Sequence, residues 1–240
     1  DLATAGIIVL AVSLVSGVGG VMLAIVQHDL KRLLAYHSIE NIGIIGIGIG
    51  LGMIGLGKGN NILVMLGFGG ALMHVLNHSL FKSLLFFTAG SVLHAAKSRN
   101  IEEMGGLMKK MPYTSVLFLI GSLAICGLPP FNGFISEYLI YSGMFRSLSG
   151  SDFYMAFILL AGITGLTLIG GLAVFCFTKA FGVTFLGIPR SGRVKKAHEV
   201  SAYMLAPGFA AAAVILIIGL SSASFVLPVL NITASAFGPV

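Results

Sequence analysis

Apolar residues run along this chain in long blocks separated by short polar stretches, and the blocks have the length of a bilayer. A transmembrane helix needs about 20 predominantly apolar residues. Six blocks reach that length: 3–26, 34–56, 62–96, 113–145, 154–181 and 203–227. Two of them, 62–96 and 113–145, run past 30 residues, so each must tilt, project beyond the bilayer or be interrupted. The second block alternates isoleucine and glycine through Gly43, Gly46, Gly48, Gly50 and Gly52, which superficially reads as a strand. A membrane barrel strand would place polar residues on its second face, and here there are none. The pairs Gly46 with Gly50 and Gly48 with Gly52 instead give the small-residue spacing that lets two helices approach closely. Helix is the expected state for every block.

Composition agrees and removes the other classes. Hydrophobic residues make up 57% of the 240 positions and charged residues 9%, whereas a soluble surface needs about a quarter charged. The 33 glycines follow no Gly-X-Y period, which excludes a collagen-like fibre. Cys126 and Cys176 lie inside apolar blocks and form neither a disulfide framework nor a metal-ligand spacing. The opening at Asp1 has no charged leader segment or cleavage site, so no signal peptide is expected, and the chain reads as a piece of something longer. The fold class that follows is an all-α polytopic membrane protein, residues 1–240 forming one transmembrane domain of about six helices.

The net charge of +6 changes the picture only through its placement. Its cations sit in short loops between apolar blocks, with no basic stripe interleaved with aromatics, so nucleic acid is not an expected partner. If each long block crosses once, one face receives Lys31, Arg32, Lys97, Arg99, Lys109, Lys110, Lys179, Arg190, Arg193, Lys195 and Lys196. The other receives Lys58 and Arg146. Eleven against two is a positive-inside signal that puts the 29–32 loop in the cytoplasm and both ends of the chain outside. Two crossings of the fourth block, divided at Pro129-Pro130, would spoil that bias. Residues 128–133, including Pro129, Pro130 and Gly133, are therefore expected to break one discontinuous helix.

Candidate chemistry resides in ionisable residues inside the blocks, each costing roughly 2.5–3.5 kcal/mol to insert. His37 and Glu40 lie near the start of the second block, with Asn41 beside them. His74, His78 and Lys82 in the third fall at i, i+4 and i+8, on one helix face over about 12 Å. Imidazole both gives and takes a proton, and a lysine removed from water also exchanges one. Three such groups one turn apart, bridged by water, would form a proton ladder; the alternative is three satisfied polar residues holding helices together. A zinc or haem reading of the His pair lacks a further ligand, so no metal and no cofactor is expected on this chain. Glu137 follows the proline break, where irregular backbone at membrane depth is tolerated beside a cavity. Asp29 and Lys31 lie at the inner mouth, either as loop anchors or at a proton entry.

Three stretches carry a family resemblance: Asp29-Leu-Lys-Arg-Leu-Leu-Ala-Tyr-His-Ser-Ile-Glu-Asn-Ile-Gly43, His74-Val-Leu-Asn-His-Ser-Leu-Phe-Lys82 and Leu128-Pro-Pro-Phe-Asn-Gly-Phe-Ile-Ser-Glu137. They resemble the antiporter-like, proton-conducting membrane subunits of respiratory complex I, multisubunit Na⁺/H⁺ antiporters and membrane-bound hydrogenases. The stretch around His37 and Glu40 looks most like the large membrane subunit of hydrogenase-4 and formate hydrogenlyase complexes. The resemblance implies the second half of a 14-helix fold, from about its ninth helix to its last. It places His74, His78 and Lys82 on a central hydrophilic axis and Glu137 at the end of a half-channel. It also implies other membrane subunits and a cytoplasmic redox arm of hydrogenase-like subunits as partners, with protons or Na⁺ as the transported ion, in a cell inner membrane. An antiporter subunit with no redox partner is the alternative. The topology is open to test in the full-length subunit: single cysteines replacing Lys58 and Lys195 should label from opposite sides, position 195 from the cytoplasm. Labelling of both from one side would overturn the single-crossing reading of the fourth block.

Overall fold

A computed structural model describes residues 1–238, and every regular element among them is helical apart from one isolated backbone bridge between Asp29 and Asn100. The helices are α1 (Leu2–Ile25), α2 (Leu30–Lys58), α3 (Asn61–Ala96), α4 (Pro112–Ile125), α5 (Asn132–Leu148), α6 (Phe153–Phe185), a short α7 (Gly192–Lys195), α8 (Ala202–Leu220) and α9 (Ser222–Phe237). Five of them are long and apolar enough to cross a membrane, and α4 and α5 complete a sixth crossing between them.

Local chemistry sets the ends. Asp1, Asp29 and Asp152 each accept a backbone N–H three residues on, at 2.7, 3.0 and 2.7 Å, satisfying donors that a helix start leaves free. Gly59 stops α2 in the left-handed region at φ 68°, where a residue without Cβ carries no steric penalty. α4 starts with Pro112 in its first turn and takes its cap from a distance. Glu199 accepts from Tyr113 N at 2.8 Å, Thr114 N at 3.2 Å and Thr114 Oγ1 at 2.6 Å.

Loops tie the two ends of the bundle into two distinct faces. On one, Leu30 N donates to Arg99 O at 2.9 Å, Ile101 N to His28 O at 2.8 Å, and Gly106 N to Leu186 O at 2.8 Å. On the other, Lys58, Asn60, Ser151 and Asp152 line one small cavity, and Phe237 stacks on Phe68 with ring centroids 4.2 Å apart. The cation-rich loops therefore share a face opposite Lys58, as the charge count predicts. α4 begins at the first face and α5 ends at the second, so the pair crosses once, interrupted at residues 126–131. The expected discontinuous helix is present.

The sixth block departs from its expected form. It does not run unbroken over 203–227: α8 ends at Leu220, Ser221 takes a non-helical φ of −113° and ψ of 41°, and α9 continues to Phe237. Serine hydroxyls compete for backbone partners, which favours an interruption at Ser221-Ser222. Pro228 and Asn231 lower the apparent apolar length beyond 227, although Pro228 is accommodated inside α9. Gly219 lies against the carbonyl of Pro130, so the two helix breaks abut at one depth.

α2 is held between α1 and α3 by glycines on two faces. Gly43, Gly46 and Gly50 meet α1, whereas Gly48, Gly52 and Gly55 meet α3. At Gly43 the approach is backbone against backbone: a Cβ there would lie 2.6 Å from Gly17 N and 2.7 Å from Ser13 O. Neither atom yields without moving a helix. Gly43→Val should therefore destabilise the subunit by at least about 1–3 kcal/mol, read as a lower melting temperature in detergent. Gly19→Ala, where the added methyl meets nothing within 4 Å, should leave that temperature unchanged.

Candidate functional site

The close crossings of α2 bring its polar face against α3, and the α4–α5 break brings α5 against the other side of α3. Polar side chains from these three helices meet between them. His37 and Glu40 are one turn apart on α2, and His37 Nδ1 pairs with Glu40 Oε2 with both side chains buried. The His37 ring also packs on Phe177 of α6 at 4.6 Å between centroids. Asn41 Nδ2 donates to His37 O at 2.8 Å, which leaves its carbonyl oxygen facing His74 Nε2 at 3.1 Å. That acceptor requires a proton on Nε2.

On its other side, His74 Nδ1 lies 2.9 Å from Ser136 Oγ, and this hydroxyl has a choice. Its single proton reaches either His74 Nδ1 or Gly133 O, 3.0 Å away. Donated to Nδ1, it matches a neutral imidazole. Turned to Gly133, it leaves a lone pair for an imidazolium. The site thus accommodates both protonation states of His74 through one hydroxyl rotation. Asn77 Nδ2 fixes the Ser136 oxygen at 3.0 Å and donates to Asn132 O at 2.7 Å, while Asn132 Nδ2 donates back to Asn77 Oδ1 at 3.2 Å.

Lys82 is buried one side of this cluster, its Nζ donating to the Leu34 carbonyl of α2 and lying 5.7 Å from the Phe86 ring centroid. His78 is half-buried, edge-on to Phe81 at 5.6 Å, with Nε2 unpartnered among the described groups. His74, His78 and Lys82 share α3 but make no direct hydrogen bond to one another among the described contacts. His74 is engaged by α2 and α5, and Lys82 by α2, because those neighbours offer acceptors nearer than the next turn of α3.

Glu137 adjoins Ser136 in sequence, and its carboxylate reaches back over the break to Gly127. A Cβ at Gly127 would lie 2.6 Å from Oε2 and 2.9 Å from Oε1, so glycine there makes the space that the carboxylate occupies. Gly127 also has φ 61°, a turn that L side chains rarely adopt. Pro129 and Pro130 keep the helix from closing, with Phe131 N turning back to Leu128 O at 3.0 Å. Gly133 lets the first turn of α5 rest on the Ala124 carbonyl. Asp29 has a defined structural job as the α2 cap, and Lys31 is half-buried in the same first turn. They stand about 12 and 9 Å along α2 from His37.

Spacing alone did not single out Asn77, Asn132 and Ser136, the uncharged members of the cluster. A usable signal was present: Asn77 is one turn from His74, and Asn132 and Ser136 are one turn apart at the start of α5. Replacing Asn77 by leucine keeps volume but strips the Asn132 amide of its partner, which should cost about 1–3 kcal/mol. Ser79→Ala, at an exposed site of the same helix, should cost nothing measurable in the same detergent melt.

Residues 2–168 match the family model described as NADH:quinone oxidoreductase/Mrp antiporter, TM. The chain is 42% identical to hydrogenase-4 component B of Escherichia coli over 235 residues, covering 97% of this chain and 34% of that protein. It is also 42% identical to formate hydrogenlyase subunit 3 of the same organism, covering 94% of this chain and 37% of the relative. The chain thus spans about a third of the length of these relatives. Its fold superposes on a chain of the Mrp complex from Dietzia sp. with a TM-score of 0.80 at 18% identity, covering 97% of this chain and 47% of that one.

Proposed function

We propose, given that this chain belongs to the NADH:quinone oxidoreductase/Mrp antiporter family of transmembrane proteins, that it forms part of a proton-translocating subunit of a redox-driven membrane complex. The complex is of the membrane-bound hydrogenase or NADH dehydrogenase kind, with other membrane subunits and a cytoplasmic redox arm as partners. Electron transfer elsewhere in that complex drives protons through this chain, which carries no redox centre of its own. The cation-rich face lies in the cytoplasm of a cell whose inner membrane holds the complex, and both described ends lie outside.

The observation that carries this reading is the run of buried polar contacts from Glu40 and His37 through Asn41 and His74 to Ser136, the residue before Glu137, whose carboxylate lies against the helix break at Gly127. Buried ionisable groups at membrane depth are costly, and a purely structural clamp would use uncharged partners. Asn77 and Asn132 clamp α3 to α5 with uncharged groups alone, whereas His74, Lys82 and Glu137 put titratable groups at the same depth. In the mechanism, the His37–Glu40 pair receives a proton from the cytoplasmic side, with Asp29 and Lys31 at the mouth. Ser136 turned to Gly133 accepts from a His74 protonated on both ring nitrogens, and turned back it donates to the neutral ring, so the pair can hold or give up a proton brought to Nδ1. Lys82 and half-buried His78 stand on the cytoplasmic side of that switch. Glu137, beside the switch and over the open turn at Gly127, delivers the proton onward.

The family description also names the Mrp antiporter, which favours a second reading: the same axis exchanging H⁺ for Na⁺ with no reductant. Proton uptake by the reconstituted full-length complex separates the two. Uptake that needs the electron donor and persists without sodium supports the redox reading, whereas uptake driven by a sodium gradient alone supports the antiporter.

Three substitutions test the axis. Glu137→Gln and Lys82→Met keep volume but remove the titrating group, and each should lower proton translocation at least about tenfold with the complex still assembled. Glu137→Asp should retain part of the activity. Normal translocation in the Gln variant would remove Glu137 from the path, and loss of assembly in the Met variant would return Lys82 to a structural role.

A further inference from the structure

A cavity of about 710 Å³ opens between α3 and α8, outside the polar axis and towards the cation-rich face. Its walls include Phe86, Phe87 and Gly90 of α3 and Pro207 of α8, with His94 and Lys97 at the upper end. From Phe86 to Lys97 the groove follows three turns of α3, about 16 Å. Nothing lies within 4 Å of where a Cβ on Gly90 would be, so the groove floor is open. Its lower part is therefore apolar and aromatic, and its mouth is basic.

Cations are concentrated at the mouth. Arg193 Nη1 donates to the Lys97 carbonyl at 3.4 Å, which sets a second exposed cation beside the first. Glu102 is engaged with His28 at 3.1 Å, Asp29 with Arg32 N at 3.0 Å and Glu199 with the start of α4, which leaves Glu103, bonded to Ser98 at 2.8 Å, as the carboxylate near the mouth. A basic pocket between transmembrane helices, on the face where cations collect, suits an anionic headgroup, and the apolar groove beneath suits an acyl chain.

We propose that this groove is a binding site for an anionic phospholipid, with its phosphate between Lys97 and Arg193, His94 below it, and an acyl chain along Gly90, Phe87 and Phe86. The inference stands apart from the transport reading, since it rests on other residues. It has a consequence for the axis nonetheless. Phe86 lines the groove and its ring centroid lies 5.7 Å from Lys82 Nζ, so the lipid covers the wall beside that buried amine.

The test uses the full-length subunit in its purified complex, exchanged into nanodiscs containing phosphatidylglycerol or phosphatidylcholine of matched chain length, with bound lipid counted by native mass spectrometry. The wild type should retain phosphatidylglycerol about tenfold over phosphatidylcholine, and Lys97→Asn combined with Arg193→Gln should reduce that preference to about twofold or less. Asparagine tolerates the left-handed backbone of position 97, at φ 53°, so this variant keeps the helix end intact. Gly90→Leu, which fills open space, should expel both lipids from the groove. Equal retention of the two lipids by the wild type, or unchanged preference in the charge variant, would overturn the proposal. So would a cross-link from Gly90→Cys to another polypeptide segment, which would make the groove a protein interface.

Discussion

A polar side chain at membrane depth must find its partners inside the protein, because the surrounding hydrocarbon offers none. In this chain that requirement is met at the contact between α3 and the first turn of α5. Asn77 donates to the Asn132 carbonyl and to Ser136, Asn132 answers, and Ser136 reaches His74. The contact is available only because α4 and α5 are separate helices. A continuous helix through residues 126–131 would carry Asn132 and Ser136 past α3 at a different angle and height. The proline break, the open turn at Gly127 and the glycine at position 133 are thus one device, which positions the acceptors of the buried network.

The second constraint is distance. Burial of His37 and Glu40 on α2 requires neighbours close enough to exclude lipid, and the glycines of α2 supply that closeness on both flanks. Gly20 of α1 lies against the backbone of Glu40, where a Cβ would approach Glu40 N to 2.7 Å. The residues that resemble packing filler therefore determine whether a carboxylate can be held at this depth. α6 completes the enclosure by laying Phe177 on the His37 ring.

The loops of the cation-rich face have a structural share in the same site. Glu199, from the stretch before α8, caps the first turn of α4, and the backbone of residues 99–106 joins α2, α3 and α6. Movement of that surface would be felt at the start of the broken helix, about 21 Å from its break over the length of α4. A partner seated on this face would bear on the helices that hold the buried polar cluster, with no contact to the cluster itself.

How much was written in the sequence differs between parts of the molecule. Bilayer-length apolar blocks, the cation bias and Pro129-Pro130 determined six crossings, their alternation and the broken fourth, because each depends on composition over a local window. The spacing of His74, His78 and Lys82 determined that they share one helix, and the sequence alone marked Glu137 as a charge beside a break. Tertiary structure decided what those residues do to one another. Hydrogen bonds go to the nearest acceptor in space, so His74 turns to Asn41 and Ser136 and Lys82 to the Leu34 carbonyl, rather than along their own helix. The break at Ser221 belongs to the same class. A serine pair inside an apolar block is compatible with continuous helix, and the abutment of Gly219 on the Pro130 carbonyl exists only once α8 has packed against the neighbouring break.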